Sequence, residues 1–410
     1  MDTLLVHHRT ADERKHVSGS LAAGTTGVQV SADSTVATFS AAVTRWIAEN
    51  HHQLVEQSRQ AEHSAEEVLA AGRRVQRMLH DSGAGRWGWP TEVGGLGGNT
   101  LFRAVMYDRL EAAGIAVPVQ YEMLETLAPA VMKFAPEVAA ELIPSALTGE
   151  HAWAQGFSEP EAGSDLAGLR CRARRDGEVY VVSGQKVWTS QGIGASRIGT
   201  LVRTGTMDSR HRGISMLMID LDSPGVEVRP IRYANGENEL AEVFFDNVRV
   251  PAERLVGAQD QGWGVAMFLL QYERGNYAWV RQAHIGRLVA GLAAECDETD
   301  NLQAHEVGTA WLAQQSLRIK CGRTVQRLCA GAQLGPEISV DKVLLGTAEQ
   351  RVCDAAMNAR PHEFALSADD QNRQWRADWF YTRASTLYGG SAEIQRSIIA
   401  DRVLGLPKEG

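Results

Sequence analysis

The chain has 410 residues, of which 44% are hydrophobic and 22% charged, with a formal net charge of −9. That length allows two or three lobes around a large core, and the acidic balance excludes a broad nucleic-acid-binding surface. The five cysteines, Cys171, Cys296, Cys321, Cys329 and Cys353, are odd in number and form no C-x-x-C pair, so free thiols in a reducing compartment are expected and not a disulfide framework.

Residues 1–37 mix Gly, Ser, Thr and charge without a period and read as a mobile leader. The opening MDTLLVHHRTADERKH lacks the apolar core of a secretory signal, and no apolar run reaches the roughly 18 residues of a membrane span, so a cytoplasmic protein is expected. The pairs His7-His8 and His51-His52 have no ligand-spaced partners, which argues against a metal. Residues 38–150 follow a helical pattern, with Phe39, Val43, Trp46 and Ile47 at three- and four-residue steps, interrupted by the Gly- and Pro-bearing GRWGWPTEVGGLGGN at 85–99. Over 151–262 the period shortens. LRCRARR alternates, Asp176-Gly177 offers a hairpin turn, EVYVVSGQKVWTS follows, and GISMLMIDL, VEVRPIRY and AEVFFDNVRV complete a compact antiparallel β domain closed by Pro251. Residues 263–410 return to helical patterns, broken at Gly335-Pro336 and irregular over 360–373. The expected class is α+β: an N-terminal helical domain, a central antiparallel β domain and a C-terminal helical bundle.

No G-x-G-x-x-G follows a strand and no P-loop is present. Three other segments carry chemical interest. Gly156-Phe157-Ser158-Glu159-Pro160-Glu161-Ala162-Gly163-Ser164-Asp165 gathers small and hydroxyl residues that can set backbone N–H groups against a flat heterocycle or a phosphate; a plain Ser/Gly loop has the same composition. In Lys186-Val187-Trp188-Thr189-Ser190-Gln191 a Trp at a strand end can stack on a ring while two hydroxyls donate to it, although strand tryptophans are more often core. In Tyr388-Gly389-Gly390-Ser391-Ala392-Glu393-Ile394-Gln395-Arg396 a turn opens a helix whose free N–H groups suit an anion or a carbonyl oxygen, as would an ordinary cap.

Taken together, and in this order, the three segments resemble the acyl-CoA dehydrogenase family, whose members carry a T/S-E-P-x-A-G-S-D loop, a K-x-W-I-T-N strand end and a Y-x-G-[ST]-x-x-I-Q-R turn. GRWGWPTEVGGLGG, PGVEVRP and VFFDNVRVP extend the resemblance over residues 40–405. The resemblance implies FAD held between the β domain and the C-terminal helices. Phe157 and Ser158 would lie against the isoalloxazine and Gly163 and Ser164 near the phosphates and the thioester chain. Trp188 and Thr189 would flank the ring, with Ser190 beside flavin N5, and Ser391 and Glu393 would approach the nucleotide half. It also implies an acyl-CoA substrate lined by Ser164, Tyr277, Tyr388 and Gly389, dehydrogenated at its α and β carbons, with electrons passed to an electron-transferring flavoprotein.

That reaction needs a carboxylate to take the α proton. The commonest family position for it is Gly389 here, which has no side chain. A subset of the family places a Glu on an earlier helix, and the matching residue is Glu273. Its helical neighbours Leu269, Leu270, Tyr277 and Val280 predict an apolar setting that desolvates the carboxylate and strengthens it as a base. A Glu reaching out to solvent would read the same way in sequence. Gly389 retains an N–H able to polarise the thioester carbonyl.

Two family motifs are missing. No R-x-x-F-G occurs between Val280 and Leu317, and ARPHEFALSADDQNRQ stands where Q-x-x-G-G-x-G is usual. Both normally serve the FAD of a neighbouring subunit. Their loss resembles heteromeric bacterial members acting on bulky substrates such as steroid side-chain CoA esters, so a tetramer is expected, as α2β2 with a related chain or as a homotetramer. The alternatives on the same scaffold are an acyl-CoA oxidase, an acyl-carrier-protein dehydrogenase and a non-catalytic partner subunit.

Overall fold

A computed structural model describes residues 27–407 apart from 61–63, 235, 237 and 298. Helix α1 (Val36–Glu49) buries Phe39, Val43, Trp46 and Ile47, the four positions its period selects, and Thr35 caps it by accepting from the Thr38 N–H. Helices α2 (His51–Ser58), α3 (Ala65–Asp81), α4 (Leu101–Ala112), α5 (Gln120–Phe134) and α6 (Pro136–Leu147) complete the N-terminal lobe. Of the expected leader, residues 1–26 lie outside the described residues. The remainder is tied down: Val28 is buried and its N–H donates to the Ser82 carbonyl at 2.8 Å. The Gly-rich 85–99 segment is a run of turns around the buried Trp89, and a Cβ on Gly95 would sit 2.0 Å from the Trp89 carbonyl oxygen.

The sheet runs β6-β7-β3-β2-β4-β5-β8. Its strands are β1 (Trp153–Gly156), β2 (Arg172–Asp176), β3 (Val179–Ser190), β4 (Arg197–Arg203), β5 (Ile214–Asp220), β6 (Val226–Ile231), β7 (Leu240–Pro251) and β8 (Leu255–Val256). The β2–β3 hairpin turns at the expected place, with Gly177 at φ 62° between the paired Asp176 and Val179. Two features depart from the sequence reading. The sheet is mixed, because β1 runs parallel to β4. Strand β4 itself is not flagged by alternation: it is central, buried on both faces over Ile198–Arg203, and therefore shows no period of two.

The C-terminal lobe contains α7 (Gly262–Tyr272), α8 (Ala278–Ala294), the 29-residue α9 (Asn301–Cys329), α10 (Ser339–Ala359), α11 (Pro361–Leu366), α12 (Asp370–Thr382) and α13 (Ala392–Ile398). Residues 360–373 are more regular than expected. Pro361 starts a short helix at its first turn, and Asp369 caps α12 by accepting from the Asn372 N–H. Between α7 and α8 the chain winds as one π-helical turn, Glu273–Tyr277.

Candidate active site

The loop after β1 is fixed from below by a buried ion pair. Lys186 Nζ lies 2.6 Å from Glu159 Oε1, with both side chains almost wholly buried, and it also donates to the Phe157 carbonyl at 3.3 Å. Glu159 further accepts the N–H groups of Arg170 (2.6 Å) and Cys171 (3.0 Å), so its charge is compensated on every side. The Val187 N–H donates to the Ser158 carbonyl at 3.0 Å, which joins this loop to β3. Between Lys186 and Thr189 the β3–β7 register slips. At that bulge Trp188 adopts φ 60° and projects outward, 59% exposed, while Thr189 turns inward, fully buried. Gln191 follows at φ 59° and donates to the Val119 carbonyl of the N-terminal lobe at 2.9 Å. Ser158 and Ser190 are half-buried; Gly163 and Ser164 are exposed farther along the loop.

β1 also reaches the second cluster. Gln155 Nε2 donates to Glu273 Oε2 at 3.1 Å. A Cβ on Gly389 would lie 2.9 Å from Glu273 Oε1 and 3.2 Å from Lys342 Cε, so the empty side-chain position of Gly389 opens onto the Glu273 carboxylate. Lys342 is buried, donates to the Ser385 carbonyl at 2.6 Å, and stands 3.9 Å over the Tyr388 ring. Burial pushes its ammonium down to about 8, against the opposing pull of Glu349 and Glu273. The expected apolar setting of Glu273 is only half present. Leu269, Tyr277 and Val280 are buried, but the π turn shifts the side chains after Glu273 off the α-helical line, and Gln155 and Lys342 add polar neighbours.

Tyr277 donates to Tyr388 at a long 3.5 Å, their rings meeting edge to face with centroids 6.2 Å apart. Tyr388 donates to Glu349 at 3.0 Å, and Arg281 holds the other oxygen of Glu349 at 2.7 Å. The turn beside them places Gly389 at φ 63° and Gly390 at φ 90°, and Gln395 donates to both their carbonyls. Ser391 caps α13 by accepting from the Ile394 N–H at 3.3 Å. Glu393 is exposed on that first turn, its carboxyl lowered by a backbone hydrogen bond and then by the Ser391 hydroxyl.

Residues 154–248 match the acyl-CoA dehydrogenase middle domain and residues 260–404 the acyl-CoA dehydrogenase C-terminal domain. The chain belongs to the acyl-CoA dehydrogenase family. Its members are oxidoreductases acting on the CH–CH group of acyl-CoA thioesters. The acyl-CoA dehydrogenase IpdE1 of Mycobacterium tuberculosis is 36% identical over 84% of this chain and 90% of its own length. The protein of the same name from Mycolicibacterium smegmatis is 33% identical over 84% and 90%. Among solved structures, a variant of the Tcur3481–Tcur3483 steroid ACAD superposes with a TM-score of 0.79 at 25% identity, covering 90% of this chain and 100% of that one.

The family generally binds FAD, and the β3 bulge has the features of a bed for its flat ring. Thr189 Oγ1 is buried without a hydrogen-bond partner, directly beside an outward-facing indole. Phe157, Ser158, Trp188, Thr189 and Ser190 lie where the loop after β1 meets the end of β3, while Glu273 and Gly389 lie together beside Gln155, and Tyr277 and Tyr388 are in ring contact. Gly163, Ser164, Ser391 and Glu393 lie outside both clusters. The sequence reading missed Gln155, Lys342, Arg281 and Glu349. Gln155 stands immediately before the recognised loop and was within reach of its strand period. The other three lie on helices α8 and α10, and only tertiary packing places them here.

Proposed function

We propose that the protein catalyses FAD-dependent α,β-dehydrogenation of a bulky acyl-CoA thioester in the cytoplasm, with Glu273 as the base. The observation carrying this reading is the approach of Glu273 Oε1 to the vacant side-chain position of Gly389, within 2.9 Å of where a Cβ would stand. A carboxylate delivered from the π turn thus occupies the region that a carboxylate at position 389 would otherwise serve.

Gln155 orients the carboxylate by binding Oε2, which leaves Oε1 to take the α proton. The Gly389 N–H finds no acceptor among the described residues and donates to the thioester carbonyl, which acidifies the α carbon. Tyr277 and Tyr388 wall the acyl group, and Ser164 contacts the thioester chain. FAD, when bound, would supply the hydride acceptor for the β carbon. Phe157 and Ser158 would support its ring, Trp188 would cover it, Thr189 and Ser190 would donate to it, and Gly163, Ser164, Ser391 and Glu393 would serve its phosphates and nucleotide half. The electrons pass to an electron-transferring flavoprotein; oxygen uptake without an added acceptor would identify an oxidase instead. The test is anaerobic mixing of the purified yellow assembly with acyl-CoA esters. Bleaching of a chromophore that denaturation releases as FAD is expected, and release of FMN or absence of flavin from the complete assembly contradicts the reading.

A second reading is favoured by one specific observation, the missing R-x-x-F-G and Q-x-x-G-G-x-G segments: the chain works as one half of a heteromer with a related subunit. The similar steroid ACAD is itself a pair of chains, Tcur3481 and Tcur3483.

A further inference from the structure

The π turn that carries Glu273 is pinned from two sides, by α9 and by α5. Towards α9, a Cβ on Gly275 would lie 2.9 Å from Leu328 Cδ1 and 3.2 Å from Thr324 Cγ2, so the turn sits as close as a residue without a side chain allows. Towards α5, Asn276 Nδ2 donates to Glu125 Oε2 at 2.9 Å. Glu125 is 1% exposed and its other oxygen is also taken. The Tyr107 hydroxyl donates to Oε1 at 2.7 Å, and Arg103 Nε stands 2.9 Å from the same atom. Arg103 is itself fixed: it donates to the Gly88 carbonyl at 3.1 Å, and its guanidinium lies 4.0 Å over the ring of the buried Trp89. A continuous line of contacts therefore runs from the Gly-rich turns of the N-terminal lobe, through α4 and α5, to a side chain on the same turn as Glu273.

The π turn holds one residue more than an α-helical turn would, so relaxation to a regular helix moves Glu273 by about 100° around the axis relative to Tyr277. Tyr277 is packed edge to face on Tyr388, the neighbour of Gly389 in the chain. Such a rotation would take the Glu273 carboxylate off Gly389. A local conformation of this kind persists where its surroundings hold it, and the bond from Asn276 to a buried carboxylate is a strong, charge-assisted hold.

We propose that Asn276 and Glu125 are positioning residues for the base: their bond fixes the register of the π turn and so aims the Glu273 carboxylate. The inference rests on the reading of Glu273 as the base. Gln155 orients the carboxylate by touching it, whereas Asn276 and Glu125 act through the backbone of the turn. A void of about 10 Å³ lined by Arg103, Tyr107, Glu125, Asn276 and Cys329 adjoins their bond. Asn276→Ala enlarges that void enough for a water to satisfy Glu125, which keeps the fold and cuts the tie to the turn.

The test is a double-mutant cycle in the holo-assembly, read by anaerobic flavin reduction with a competent acyl-CoA. Asn276→Ala should lower the limiting rate of reduction about a hundredfold, the scale of a misplacement of about 1 Å, with flavin content and the dissociation constant of the acyl-CoA as in the parent. In a Glu273→Gln background the same substitution should slow reduction by less than about twofold further, because a positioning residue acts only through the group it places. Tyr107→Phe removes another bond to Glu125 and leaves the tie to the turn, so it should lower the melting temperature and not the rate. A near-parental rate for Asn276→Ala, an undiminished effect of it in the Glu273→Gln background, or equal slowing by Tyr107→Phe would each overturn the proposal and leave the base in place. Should Asn276→Ala lose its flavin, Asn276→Ser takes its place in the cycle; loss from both would show a bond that serves the fold alone and would also overturn the proposal. A near-parental rate for Glu273→Gln by itself would instead put the fault in the reading of the base, and the proposal would fall with it.

Discussion

At Gly389, Glu273 and Lys342 the site differs most from an ordinary helical interior. The pairing of a glycine with a distant glutamate was legible in the sequence, because a missing side chain in a recognised turn demands a carboxylate elsewhere. The lysine was not legible: nothing local to SVDKVLLG marks Lys342 as buried, and its partners Ser385 and Tyr388 come from the turns that follow α12. Its pKa of about 8 makes a signed prediction. The unfolded chain holds the proton up to its ordinary value of 10.5, so between about pH 8 and 10.5 the unfolded state binds more protons and stability rises with pH. Below pH 8 the whole cost of burying the ammonium, on the order of 3 kcal/mol, is present. Lys342→Met should therefore gain thermal stability relative to the parent at pH 7, and the gain should shrink towards pH 10. A difference in melting temperature between the two proteins that does not change with pH would contradict this.

Among the elements, α1 and the β2–β3 hairpin could be read directly, since a single buried face and a Gly turn leave clear periods. β4 and the π turn could not: one is covered on both faces, and the other is an extra residue inside an otherwise helical pattern. The bulge in β3 lay between these cases, with its residues recognised and its geometry not. What holds it is the Lys186–Glu159 pair beneath the loop. Lys186→Met leaves the Glu159 carboxylate buried without its cation, which should cost about 3–5 kcal/mol and release flavin, while Lys186→Met with Glu159→Gln should recover part of both. Thermal unfolding and flavin absorbance of the purified variants check this; a single variant as stable and as yellow as the parent would show that the pair does not support the bulge.

For the whole molecule, the lobes and their order were legible from changes of period alone, whereas assembly rests on motifs that the chain lacks. Each missing FAD contact across an interface would remove a charge-assisted bond worth roughly 1.5–3 kcal/mol. Two such losses weaken binding a hundredfold or more, at about tenfold per 1.4 kcal/mol. Helix α9 also leaves Leu302, Trp311, Leu312 and Ile319 exposed along its length, as a helix awaiting a neighbour would. Expressed alone, the chain should bind less than one FAD each, and co-expression with a related chain that retains both motifs should raise occupancy in an α2β2 assembly; a fully flavinated homotetramer with normal turnover would contradict the heteromeric reading. The central claim, that Glu273 removes the α proton, is tested most directly in that complete assembly by rapid anaerobic mixing with a competent acyl-CoA. The account predicts that Glu273→Gln, with FAD bound as in the parent, bleaches its flavin at least about a thousandfold more slowly, because Gly389 supplies no second carboxylate. Flavin reduction at a near-parental rate would show that another group is the base.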